Sequence, residues 1–330
     1  MIKKSLLLAV AISIPTIALG QGYAEHEQAA GFIDEMVQEH AFERQQVLDV
    51  LAAATRQQAI LDAISRPAER VRPWKEYRQI FLTPQRLQRG LEFWQQHVAA
   101  LARAEQDYGV APEYIVAIIG VETMYGGNTG RYSVLDALAT LGFDYPPRQD
   151  FFRRQLREFF LLTREQDVDP ASLTGSYAGA MGLAQFMPGS YRAYAVDFNA
   201  DGKIDIWHDA EDAIGSVANY FVEHGWQPQA EVTVQAWPQH DKALELVSTA
   251  LAPQHTVTSL QEQGWQLERQ VAGDEPATLF ALEADDGMQY WLGLPNFETI
   301  TRYNRSNMYA MAVQQLAQQL RAEYEAQQND

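Results

Sequence analysis

Apolar positions recur at helical spacing along most of the chain. Between residues 24 and 104, pairs such as Phe32/Met36 and Val47/Leu51 lie one turn apart in a background of Gln, Ala, Arg and Leu, which predicts a set of polar-rich helices. Pro67 and the Pro73–Trp74 step interrupt the pattern and divide it. Over residues 109–119 nearly every position is apolar, and Pro112 followed by Glu113 predicts the start of that helix. A second helical block covers residues 132–226, broken by Gly- and Pro-rich turns. Its clearest stretch, residues 213–224, sets Ile214, Val217, Ala218 and Phe221 on one side.

The texture changes near residue 232. Segments 231–237, 255–257 and 288–292 are short, rich in β-formers and separated by turns. Helical spacing resumes near Tyr309 and continues to the C-terminus. The expected class is mainly α (α+β). Its expected parts are a leader over residues 1–20, an N-terminal α-helical region over 21–107, a helical core over 108–228, a small β-rich domain over 229–296 and a C-terminal return over 297–330. The return makes the core discontinuous in sequence.

Composition narrows the setting. The chain has 330 residues, 47% of them hydrophobic, enough for a sizeable core. Lys3 and Lys4, the apolar run over residues 6–18 and the small residues Ala18 and Gly20 before Gln21 read as a secretory signal peptide. The run is shorter than the ~20 residues of a spanning helix and contains Pro15. With no cysteine, the mature chain has neither disulfides nor a thiol for lipid attachment, so a soluble exported protein stabilised by packing or a bound ion is expected. A formal net charge of −18, more negative once Lys3 and Lys4 are removed, argues against a nucleic-acid partner. The histidines are scattered singly, without zinc-protease spacing or a Ser-His-Asp order.

Three stretches carry candidate chemistry. Tyr114-Ile115-Val116-Ala117-Ile118-Ile119-Gly120-Val121-Glu122 sets one carboxyl group at the end of an apolar helix, before the turn at Gly126-Gly127. Apolar walls raise a carboxyl pKa, and a raised pKa suits a proton donor near neutral pH. A helix-terminal Glu paired with an Arg would share the same local sequence. Residues 176–188 combine small residues that allow close approach with the neutral hydrogen-bonding groups of Ser176, Tyr177 and Gln185, a mixture suited to a sugar cleft. Residues 197–205 fit the start of an EF-hand loop: Asp197, Asn199 and Asp201 offer side-chain oxygens and Lys203 its carbonyl. His208 occupies the twelfth position, where Glu is usual; Asp209, Glu211 and Asp212 follow. Calcium is the expected ion and sodium an alternative; an ion-free acidic turn remains open.

Gly120-Val121-Glu122-Thr123, Gly179-Ala180-Met181-Gly182 through Gln185-Phe186-Met187-Pro188, Ala213-Ile214-Gly215-Ser216-Val217-Ala218-Asn219-Tyr220 and Ile300-Thr301-Arg302-Tyr303-Asn304 together resemble the lytic murein transglycosylase B family. The resemblance covers most of the mature chain with its motifs in order. It implies a lysozyme-like core that cleaves the bond between N-acetylmuramic acid and N-acetylglucosamine in peptidoglycan, leaving a 1,6-anhydro end. It implies Glu122 as the single acid and base, with no catalytic cofactor. Ser176, Gln185, Tyr220, Tyr303, Asn304 and Arg148 match family positions lining the glycan cleft; Pro147 stands where the family often has a second Arg. It also implies a structural calcium, for which Asp212 is the late carboxylate with Asp209 as the alternative. Periplasmic location, glycan strands as partner and other cell-wall enzymes as further partners follow from the same resemblance. Two rival readings share these residues: a non-catalytic peptidoglycan-binding protein and a hydrolytic muramidase.

Overall fold

The computed structural model describes residues 22–65 and 72–329; the leader expected over residues 1–20 and the break expected at Pro67 lie outside them. The N-terminal pattern resolves into helices Ala29–Gln38, Arg44–Ala53, Gln58–Ser65, Trp74–Phe81, Pro84–Gln96 and Val98–Tyr108. Local chemistry sets their ends. Thr83 caps one start by accepting from the Arg86 N–H, with Pro84 behind it, where a missing N–H costs nothing. Gly109, at φ 68°, ends the last of them in the left-handed region that glycine tolerates.

Helices Pro112–Thr123, Val134–Asp144, Gln149–Glu165, Pro188–Tyr194 and Ala210–Glu223 follow. Strands β1 (Tyr132–Ser133) and β2 (Thr174–Gly175) pair antiparallel across this region. The chain then leaves the helical body for a five-stranded sheet. Its strands are β3 (Thr233–Pro238), β4 (His255–Thr256), β5 (Trp265–Leu267), β6 (Pro276–Ala284) and β7 (Gly287–Gly293), in the order β4-β6-β7-β3-β5 with every pair antiparallel.

Strand β6 explains how the sheet is mounted. Side chains alternate between its faces, so Ala277 and Leu279 enter a small core with Val234, Leu260, Trp265 and Leu292. Phe280, Leu282 and Ala284 join the main helical core instead. Phe280 stacks on Phe297 with ring centroids 4.8 Å apart. A strand buried on both faces reads as a continuous apolar run, which is why Thr278-Leu279-Phe280-Ala281-Leu282 lacks polar alternation.

The chain returns through helices Pro295–Tyr303 and Asn307–Asn329. The first begins earlier than the helical spacing near Tyr309 predicts, with Pro295 at its first position. The second buries Val313, Leu316, Ala317 and Leu320 and packs on Pro112–Thr123, where Tyr114 donates to the Gln314 side-chain oxygen at 2.8 Å. The described fold is thus mainly α, as expected, with a five-stranded sheet and a two-stranded pair. Among the described residues, no helix is long and apolar enough to cross a membrane.

Truncating Phe280→Ala should cost about 3–5 kcal/mol in urea denaturation, as for other fully buried aromatic residues. Met288→Ala, on the exposed side of the same sheet at 51% exposure, should change stability by less than about 0.5 kcal/mol. Equal effects would mean that the sheet is not anchored through the inner face of β6.

Candidate active site

The helix Pro112–Thr123 is buried on all sides from Ile115 to Ile119, so its apolar character reflects a central position rather than one amphipathic face. Its end is abrupt. Met124 (φ 53°), Tyr125 (φ 59°) and Gly126 (φ 83°) are all left-handed, two of them without glycine's freedom, at about 1–2 kcal/mol each. Tyr125 is held by fit: a Cβ on either Gly90 or Gly120 would stand 2.4 Å from its hydroxyl. The Thr123 hydroxyl lies 3.1 Å from both the Ile119 and Leu183 carbonyls and accepts from the Gly126 N–H at 3.0 Å. It ties the helix end to the 176–188 loop. From behind, the buried Arg86 donates to the Gly120 carbonyl at 3.0 Å and to the Ile80 carbonyl at 2.6 Å.

Glu122 is held between these supports, and its carboxyl accepts from the Tyr309 hydroxyl at 2.5 Å. Burial pushes its pKa up from 4.5 to about 7, and the Tyr309 hydrogen bond pulls it partly back by favouring the anion. Among the described residues, no Lys, Arg or His pairs with it. An ion-paired helix-terminal Glu is therefore not what this position holds. Burial also raises Tyr77, Tyr303 and Tyr309, and the nearby Glu122 raises each of them further. These phenols stay protonated, so they are neutral neighbours and donors.

Glu122 faces a cavity of about 500 Å³ that is also lined by residues 126–132, Ser176, Tyr177 and Gln185. Ser176 accepts from the Ala178 and Ala180 N–H groups, leaving its own proton for a ligand. Gln185, left-handed at φ 51°, donates to the Thr129 and Gly182 carbonyls and bridges the two loops. Tyr177 is 42% exposed and presents its ring. Tyr303 donates to the Ala184 carbonyl at 2.6 Å, and Tyr220 donates to the Arg302 carbonyl at 2.8 Å. Their rings meet at 4.7 Å, with Phe186 packed against both. Asn304 follows at the exposed end of its helix.

Arg148 is exposed in the Pro146–Arg148 turn, with its guanidinium over the Phe151 ring at 4.4 Å. Like Tyr220, Tyr303 and Asn304, it does not line this cavity. Sequence reasoning missed Tyr309 and Arg86. Tyr309 reads as one more core position of an apolar helix, and its partner is 187 residues away.

The acidic loop is mounted on the helix Ala210–Glu223. A Cβ at Gly215 would meet the Phe198 ring at 2.4 Å, so only glycine admits that ring. Ser216 accepts from the Val196 N–H, and Asp212 accepts from the Phe198, Asn199 and Asp205 N–H groups. Asp197 and Asp201 accept N–H groups within the turn. Asp209 caps the helix and takes the Asn199 amide at 2.7 Å. The donor set, carboxylates and one amide, suits a hard cation. Both Asp209 and Asp212 face the loop: Asp212 as the buried anchor, Asp209 across its mouth.

A family model for the transglycosylase SLT domain matches residues 24–318. Membrane-bound lytic murein transglycosylase B of Escherichia coli (strain K12) is 45% identical over 309 residues, covering 91% of this chain and 84% of that protein. The structure of the catenated lytic transglycosylase SltB1 from Pseudomonas aeruginosa is similar with a TM-score of 0.90 and 54% identity, over 92% of this chain and 99% of that one. The Escherichia coli lytic transglycosylase Slt35, solved in complex with calcium, has a TM-score of 0.85 and 44% identity, over 92% of this chain and 96% of that one.

The raised pKa of Glu122 makes a stability prediction. The folded pKa of about 7 exceeds the ordinary 4.5, so the folded state is favoured while the group is protonated and loses that advantage as pH rises between the two values. Wild type should therefore lose up to about 3 kcal/mol relative to Glu122→Gln on going from pH 4 to pH 8. A difference that stays flat with pH would show that Glu122 titrates normally.

Proposed function

The chain belongs to the transglycosylase SLT domain family, as a peptidoglycan lytic transglycosylase of the murein transglycosylase B type, and on that premise we propose that Glu122 alone carries its chemistry. The observation that carries this reading is a half-buried carboxyl group, without a cationic partner, facing a cavity with no second carboxylate in its lining. Hydrolytic glycosidases of the two-carboxylate kind need a partner about 5–9.5 Å away, as nucleophile or as base for water. A mechanism with one carboxyl group must instead use it twice.

Protonated Glu122 donates its proton to the glycosidic oxygen as the bond from the muramic acid C1 breaks. The muramic acid N-acetyl oxygen stabilises the positive charge that develops at C1. Glu122, now ionised and hydrogen-bonded by Tyr309, then takes the proton of the C6 hydroxyl as that oxygen bonds to C1. The product ends in a 1,6-anhydro ring, Glu122 regains its proton, and no water is consumed. A pKa near 7 suits both halves of the cycle, because the group must give and accept the same proton near neutral pH. The internal attack gains from proximity, with effective molarities of ~10⁵ M or more.

In this reading Ser176, Gln185, Tyr220, Tyr303 and Asn304 contact or shape the bound glycan, and Arg148, outside the cavity beside Glu122, contacts the strand farther along. The acidic loop holds a structural calcium or sodium through Asp197, Asn199, Asp201, the Lys203 carbonyl and Asp212 or Asp209. The calcium complex of the similar Slt35 supports this, and an ion there would offset repulsion among the carboxylates without entering the reaction. A leader over residues 1–20 and a cell-wall substrate together put the reaction in the periplasm.

Glu122→Gln should keep the circular dichroism of wild type and lose cleavage of purified sacculi by about 10²-fold or more, the lower range of general acid–base effects. Mass spectrometry of the wild-type digest should give muropeptides lighter by one water than hydrolytic products; hydrated ends would favour the muramidase reading. Tyr309→Phe removes a bond that favours the carboxylate, so the Glu122 pKa rises and the pH–rate profile moves upward. A drop in rate with an unmoved profile would assign Tyr309 to packing alone. Adding EGTA should lower the melting temperature of wild type, calcium should restore it, and Asp201→Asn should blunt both effects.

A further inference from the structure

A second cavity, of about 550 Å³, lies between the insert and the C-terminal return. Thr249, Pro253 and Gln254 form one wall, and Glu298, Arg302 and Arg305 form the other. The first wall is tied down: the Ser248 and Gln254 N–H groups donate to the Leu279 and Ala277 carbonyls of β6. The Ala250 carbonyl accepts from the Thr278 hydroxyl at 3.1 Å. The opposite wall is the last turn of the helix Pro295–Tyr303 and the link beyond it.

The charge in this cavity runs against that of the molecule. The sequence holds 43 acidic and 25 basic residues, so a net positive lining is opposite in sign to the chain as a whole. Arg302 pairs with Glu298 at 2.5 Å, which leaves the cavity one positive charge in excess. Arg305 carries it, with no hydrogen bond or ion pair among the described residues. A planar guanidinium opposite a preformed wall suits a carboxylate, which it can hold by two parallel hydrogen bonds. Position adds a constraint. Arg302 and Arg305 flank Tyr303 and Asn304, and consecutive Cα atoms are about 3.8 Å apart, so both guanidiniums stand within ~15 Å of Tyr303. Tyr303 in turn donates to the carbonyl of Ala184, whose neighbour Gln185 lines the cavity with Glu122.

We propose that this cavity is a carboxylate subsite that binds the peptide branches of the glycan strand held in the cleft. The proposal rests on the peptidoglycan reading above. Its occupant is a free peptide carboxylate, held chiefly by Arg305, while Arg302 stays partly engaged by Glu298. The sugar backbone occupies the cleft, and the branch reaches over Tyr303–Asn304 to the cavity. The insert then has a role in recognition, because one wall of the subsite belongs to it.

The test uses two probes: glycan oligomers whose peptides carry free carboxylates, and the same oligomers with those carboxylates amidated. Binding is titrated on Glu122→Gln protein, where nothing turns over, and kcat/KM is measured on otherwise wild-type protein. The carboxylate oligomer should be preferred, and the preference should shrink as salt is raised. Arg305→Glu should weaken binding of the carboxylate form about tenfold, with Arg305→Gln intermediate, and leave the amidated form unchanged. Equal loss on both oligomers, or no loss on either, would overturn the subsite. If wild type cleaves neither oligomer while the Arg305-dependent preference persists, the cleavage reading fails and the subsite stands.

Discussion

A carboxyl group largely shielded from water, without a cationic partner, is the constraint around which this molecule is arranged. Burying a charge without pairing is costly, and the group responds by keeping its proton. A lysine or arginine beside Glu122 would remove that cost, and with it the ability to donate near neutral pH. The structure uses tyrosine instead. Tyr309 steadies the carboxyl group in either protonation state, and its own ionisation is suppressed by burial and by the nearby Glu122. Tyr77 and Tyr303 extend the same neutral, protonated surroundings.

Keeping Glu122 in that position draws on distant parts of the chain. The helix must stop one residue after the acid, and it does so through two non-glycine residues in the left-handed region. Such strain persists only where packing over-determines it. Here Tyr125 fills the space left by Gly90 and Gly120, Arg86 grips the Gly120 carbonyl, and Thr123 fastens the turn to the opposite loop. The fourth support, Tyr309, arrives only after the chain has built the whole sheet. The inner face of β6 is therefore coupled to the site at one remove. It seats the insert against Phe297 and Ile300, and the helix carrying them leads directly into Tyr303 and Tyr309.

Much of this was legible from the residues. The unbroken apolar run before Glu122 marks a buried helix because no surface helix can be apolar all round, and Pro112 with Glu113 marks its start. The β-rich texture after residue 232 marks the sheet. What was not legible depends on contacts between distant residues. Periodicity reports that Tyr309 is buried but not what it faces, and Arg86 looks like any charge on a polar helix. Two local signals were present and went unread: Pro295 at a helix start, and Asp209 immediately before the helix Ala210–Glu223, where its carboxylate caps the Glu211 and Asp212 N–H groups. Arg148 shows what a motif match leaves open: the match gives the position, while the exposed turn and the Phe151 ring under the guanidinium are set by the fold.

The acidic loop follows the same logic with the sign of the environment reversed. Asp209, Glu211 and Asp212 sit at a helix N-terminus, where unsatisfied N–H groups and the helix dipole favour negative charge. Asp212 can therefore be almost wholly buried and still lie among backbone donors from Phe198, Asn199 and Asp205. Gly215 and Ser216, one turn on, accept the Phe198 ring and the Val196 N–H, so the loop and the helix form one unit. Two turns on, Tyr220 of the same helix holds the Arg302 carbonyl beside Tyr303. Whatever fixes the loop thus also fixes the helix whose Tyr220 packs against Tyr303 and Phe186. The molecule separates two uses of carboxylates: a group of them, solvated or bonded to N–H donors, that organises a scaffold, and a single one, stripped of such donors except a tyrosine, that stays free to exchange a proton.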